Sequence, residues 1–86
     1  MQKNTLPPIE KLVELNYPPL FHLAMHLCGN PAKAMELTQR TFRLASDIGR
    51  TLPVPKNVRA WLFTILFNNF LESIPRARRT GIATGF

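Results

Sequence analysis

Eight prolines in 86 residues partition this chain before any other feature does. They stand as Pro7-Pro8, Pro18-Pro19, Pro31, Pro53, Pro55 and Pro75. Proline lacks a backbone N–H, and its ring collides with the carbonyl four residues back. A helix therefore begins at a proline far more readily than it passes through one. Between the prolines, apolar residues recur at helical spacing and nowhere alternate well enough to make a strand. The implied fold is all-α, a compact three- to four-helix bundle.

Pro7-Pro8 open a first short helix carrying Ile9, Leu12, Val13 and Asn16 at helical spacing. Pro18-Pro19 then break or kink the chain. A second helix follows, with Leu20, Phe21, Leu23, Ala24, Leu27 and Cys28 on a broad apolar face. Gly29-Asn30-Pro31 is a stop and restart, with Gly29 as C-terminal cap, Asn30 as N-cap and Pro31 as first helical residue. The third helix runs from about Pro31 to Ile48, with Ala34, Leu37, Thr41, Ala45 and Ile48 as its stripe and Thr38 and Phe42 beside it. Gly49 ends it, and Pro53 and Pro55 keep the following stretch out of helix. Asn57 caps a fourth helix that reaches Ile74, where Pro75 forbids simple continuation. Residues 1–80 make one domain, and 81–86 are expected to be a flexible end.

A chain this short holds one small core. Its single cysteine, Cys28, excludes an internal disulfide framework and fits a reducing compartment, so a cytoplasmic protein is expected. The N-terminus lacks a signal pattern. The longest apolar run, Ala60 to Phe67, falls far short of the roughly 20 residues of a membrane span. Eleven Lys/Arg against five Asp/Glu give a formal charge of +6, which favours a polyanionic partner, most often nucleic acid.

Catalysis is not expected. Glu10, Glu14, Glu36, Asp47 and Glu72 are the only acids, and none is spaced as an acid/base pair. His22 and His26 are four apart, a spacing that can share a metal, but no second ligand pair exists and Cys28 lies off their face. No metal and no cofactor are expected. The fourth helix is apolar on two faces, with Trp61, Leu62, Ile65 and Asn69 on one and Phe63, Leu66, Phe67, Phe70 and Ile74 on the other. Such a helix is either sandwiched in the domain or keeps one face for a partner, and in a small domain the sandwich comes first. Lys56, Asn57 and Arg59 stand at its start. From spacing alone, Asn57 is a cap and Asn68 a solvated polar residue; the competing assignment is that these amides read bases. Arg76, Arg78 and Arg79 form a basic cluster suited to phosphates. On the third helix, Glu36, Gln39, Arg40 and Arg43 share one exposed stripe. It is either a solvated face or a docking stripe for another helix.

Three segments in order carry a resemblance. Tyr17-Pro18-Pro19-Leu20-Phe21-His22-Leu23-Ala24 through Gly29-Asn30-Pro31-Ala32 is the first. Ala34-x-Glu36-Leu37-x-Gln39-x-x-Phe42 is the second, and Arg59-Ala60-Trp61-Leu62-Phe63-x-Ile65-x-x-Asn68 with Arg76-x-Arg78-Arg79 is the third. Together they resemble region 2 of bacterial sigma factors, most closely the short extracytoplasmic-function (ECF) class, over about Ile9 to Arg79. The resemblance implies a transcription initiation domain that docks on the clamp helices of the largest subunit of core RNA polymerase. It further implies binding of the melted single-stranded −10 promoter DNA. Glu36 and Gln39 would face the polymerase, with Arg40 and Arg43 beside them. The loop from Gly49 to Asn57 would help form a pocket for a flipped base, lined by Asn68, while Lys56, Asn57, Arg59, Arg76, Arg78 and Arg79 complete the DNA side. Trp61 would be mainly core.

The sequence departs from the family pattern in places. Arg40 stands where an acid is usual, Met35 replaces another acid, and Ser46 stands where tryptophan is frequent. Leu66-Phe67 replace a small, often basic pair, and no −35-reading helix-turn-helix domain is present in this chain. These departures motivate an alternative, a sigma-like interaction module. It would bind an anti-sigma factor, or form a homo-oligomer through Phe63, Phe67 and Phe70, without productive DNA binding.

Overall fold

The computed structural model describes residues 8–74, and within them the chain forms three helices and no strand. Helix α1 is Ile9–Cys28, α2 is Pro31–Thr51 and α3 is Val58–Ser73. The expected frayed end at 81–86, Pro75 and the Arg76, Arg78 and Arg79 cluster lie outside the described residues. The all-α expectation holds, with α1, α2 and α3 all packed on one another.

The turn between α1 and α2 follows local chemistry. Gly29 adopts φ 66°, ψ 16°, and its N–H donates to the Met25 carbonyl at 2.8 Å. That left-handed geometry is open to glycine without penalty. Asn30 is extended, and its Oδ1 accepts from the Lys33 N–H at 3.1 Å. Pro31 follows at the first helical position, where a missing N–H costs no intrahelical bond.

Three boundaries differ from expectation. Pro18 and Pro19 do not divide the first segment, for both lie inside the continuous α1. Proline inside a helix costs both a ring clash with the carbonyl four residues back and the loss of that carbonyl's donor. Here the Leu15 carbonyl, four residues before Pro19, accepts instead from Arg59 Nη2 at 2.9 Å. Pro8 also precedes the first turn as its N-cap, one position earlier than expected. At the third boundary, Gly49 does not end α2, which continues to Thr51 and is closed by extended Leu52, whose N–H reaches the Ile48 carbonyl. Gly49 has no positive φ; helix is available to glycine at a modest entropic cost. The connection to α3 is therefore residues 52–57, shorter than the Gly49–Asn57 loop expected from the sequence.

The core takes one stripe from each helix. Leu12, Leu20 and Ala24 come from α1, Ala34, Leu37, Phe42 and Ala45 from α2, and Leu62, Ile65 and Leu66 from α3. The fourth predicted helix, now α3, is thus sandwiched chiefly through residues of both its predicted faces. Trp61, Phe63 and Phe70 are half-buried against the core rather than fully enclosed. Four polar side chains are also buried: Asn16, Thr38, Thr41 and Asn69. Thr38 Oγ1 donates to the Ala34 carbonyl at 2.7 Å and Thr41 Oγ1 to Leu37 at 2.9 Å. Asn69 Nδ2 donates to Ile65 at 3.1 Å. Each of these three donors is taken up by a carbonyl of its own helix, which lowers the penalty of its burial. Tyr17 adds a near-parallel aromatic stack, 5.8 Å from Phe21 and 6.2 Å from Phe42 between ring centroids.

Candidate nucleic-acid and protein interface

Helix α2 carries the first candidate surface. Glu36, Gln39, Arg40 and Arg43 are all exposed, on the side away from buried Leu37, Thr38, Thr41 and Ala45. The four straddle a ridge. Gln39 and Arg43 border a groove whose other wall is Ile9, Val13 and Tyr17 of α1. Glu36 and Arg40 border a second hollow, with Cys28, Lys33 and Ser73. Arg40 Nη2 lies 3.9 Å from Glu36 Oε2. An exposed i,i+4 pair of this kind contributes only a few tenths of a kcal/mol. Both groups remain free to exchange that contact for one with a partner.

The second candidate surface is the connection 52–57 with the start of α3. Pro53 and Pro55 enforce extended backbone around Val54, because a residue before proline is driven out of the helical region. Val54 is the anchor of this loop at 2% exposure, while Leu52 on its outer side is 60% exposed. Sequence reading missed Val54. Its signal was present all the same: an apolar β-branched residue isolated between two prolines has no helical stripe to join. Asn57 Oδ1 accepts from the Ala60 N–H at 3.0 Å, so this amide is occupied as an N-cap. Lys56 is exposed beside it.

The expected DNA residues of α3 do not share one face. Asn68 lies nine positions after Arg59, about two and a half turns at 3.6 residues per turn, which sets the two on opposite sides of the helix. Asn68 is exposed on the side of Asn57 and Thr64. Arg59 is turned to α1, where its Nε donates to Asn16 Oδ1 at 3.0 Å and its Nη2 to the Leu15 carbonyl. Asn16, 7% exposed, in turn donates from Nδ2 to the Leu12 carbonyl at 2.9 Å. Sequence reading placed Asn16 on a helical stripe but did not foresee this bridge across 43 residues.

Phe67 is 37% exposed and 6.4 Å from Phe70 between ring centroids, which leaves an aromatic edge beside Asn68. His22 and His26 bring their Nε2 atoms to 3.2 Å on an exposed face. Among the described residues no group of three or more His, Cys, Asp or Glu is gathered as metal ligands. Among the same residues no helix is long and apolar enough to cross a membrane.

The family model for Sigma-70 region 2 matches residues 12–80, most of the chain, and the chain belongs to that family. It is a family of transcription initiation factors that work with core RNA polymerase at promoters, and it is not a family of enzymes. No curated protein and no solved structure matches the chain significantly.

Proposed function

We propose that this chain acts as the region 2 domain of an ECF-type sigma factor. The α2 ridge docks on the clamp helices of core RNA polymerase. The 52–57 connection and the Asn68 side of α3 receive unstacked bases of the −10 strand. The observation that carries this reading is the separation of the two surfaces within a chain of the Sigma-70 region 2 family. The α2 ridge holds a continuous run of exposed hydrogen-bonding side chains. The loop beyond its C-terminus is held open by two prolines and pinned by Val54. A splayed base gains most of its binding energy from stacking and amide contacts, and half-buried Trp61 with exposed Asn68 offers both. Arg76, Arg78 and Arg79, beyond the described residues, would neutralise phosphates. No bond chemistry is required of the protein.

The test is a titration of the chain against core RNA polymerase, with and without a fluorescent −10 non-template strand. Binding to polymerase that also enables strand capture supports the reading, and Asn68→Ala should weaken capture without unfolding the domain. If the folded chain binds neither, a second reading takes over, and exposed Phe67 is the observation that favours it. In that reading α3 presents an aromatic edge to an anti-sigma factor or to another copy of the chain.

A further inference from the structure

We infer that Arg59 is a positioning residue whose guanidinium replaces the backbone N–H that Pro19 lacks, locking the start of α3 to the middle of α1. In a regular helix the N–H of residue 19 would donate to the Leu15 carbonyl; proline has none to give. That carbonyl receives Arg59 Nη2 at 2.9 Å instead. Proline also pushes the carbonyl four residues back away from the helix axis, which makes it reachable from a neighbouring helix.

A second bond fixes the fork. Arg59 Nε donates to Oδ1 of buried Asn16 at 3.0 Å, and Asn16 Nδ2 returns to the Leu12 carbonyl. Two donors of one planar group therefore meet two acceptors less than one turn apart on α1. Arginine makes this contact with little loss of internal freedom, and lysine has no planar fork with which to copy it.

The location of the charge supports the same conclusion. Arg59 is the second residue of α3, near the positive end of the helix dipole, where a cation is normally unfavourable. Carbonyl and amide oxygens from α1 offset that cost. The lock acts next to Asn57, so it holds the end of the 52–57 connection as well as the helix start. Arg59 thus shapes the base-receiving surface from behind, and its two engaged nitrogens point away from the Asn68 side. Only this last consequence rests on the proposed function; the lock itself does not.

The deciding experiment is a double-mutant cycle on the full chain with Arg59→Ala, Pro19→Ala and both, read by urea unfolding. Pro19→Ala restores the N–H that Leu15 needs. Arg59→Ala alone should raise the unfolding constant about tenfold or more, and clearly less in the Pro19→Ala background. Equal effects in both backgrounds would overturn the lock. Should Arg59→Ala fail to fold, recovery of folding in the double variant supports it, and failure to recover counts against it.

A second readout separates positioning from phosphate contact. Arg59→Lys keeps the charge but loses the fork, so it should weaken −10 strand capture much as Arg59→Ala does, with an unchanged slope of log affinity against log salt. Full rescue by lysine, or a slope about 0.7 shallower in Arg59→Ala, would make Arg59 a phosphate ligand and reject the assignment. If no variant or parent binds the strand, the proposed function fails while the unfolding cycle still decides the lock.

Discussion

At the turn between α1 and α2, single residues have separable roles that substitution should expose. Gly29 has φ 66°, and a Cβ built there meets nothing within 4 Å. The cost of Gly29→Ala is then purely that of left-handed backbone, about 1 kcal/mol by thermal unfolding, and Gly29→Asn should cost less. Asn30→Ala removes the cap on Lys33 N–H and should cost about 1 kcal/mol as well. A neutral result at Gly29 would mean the turn refolds into another geometry. Just before this turn, burial pushes the Cys28 thiol above its ordinary value, and the Lys33 ammonium opposes the shift only in part. A raised value in the folded state favours the neutral thiol. The associated stability is present below the unfolded thiol's value and is lost as pH rises through the folded one. Iodoacetamide should therefore alkylate Cys28 more slowly in the native chain than in urea, and equal rates would contradict the shift.

At the scale of elements, α2 is where the proposed polymerase contact is most directly tested. Glu36→Ala with Gln39→Ala should weaken binding to core RNA polymerase while leaving the unfolding transition in place, since both side chains are exposed. Unchanged affinity would move the docking surface elsewhere. The starts of α2 and α3 were readable because they rest on short-range chemistry: Asn30 and Asn57 each cap an N–H three residues ahead. The length of α1 was not readable, because the partner that makes Pro19 tolerable lies 44 residues from Leu15. Local propensity argues for a break there, and a tertiary contact outweighs it. The exposed stripe on α2 was legible from periodicity alone. The site on α3 was less so: the nine-residue spacing already sets Arg59 and Asn68 on opposite sides, but nothing local signals that Arg59 is engaged by Leu15 and Asn16 of α1.

For the molecule as a whole, the decisive quantity is how little stability one small core supplies. At 0.05–0.15 kcal/mol per residue, a chain of this size is stable by roughly 4–13 kcal/mol. Leu62 is fully enclosed between the helices, and Leu62→Ala should cost about 2–5 kcal/mol, read as a lower urea midpoint with a similar slope. A cost below about 0.5 kcal/mol, as at surface positions, would show that α3 is not the central pillar. The buried Val54, held between Pro53 and Pro55, has a thermodynamic consequence for ligand capture. A segment already ordered before its ligand arrives loses little chain entropy on binding. Capture of a DNA strand at this loop should then carry only a small negative heat-capacity change, without the large value that accompanies coupled folding. A loop pinned by Val54 would have little backbone left to order on capture, leaving the DNA to bear most of the ordering.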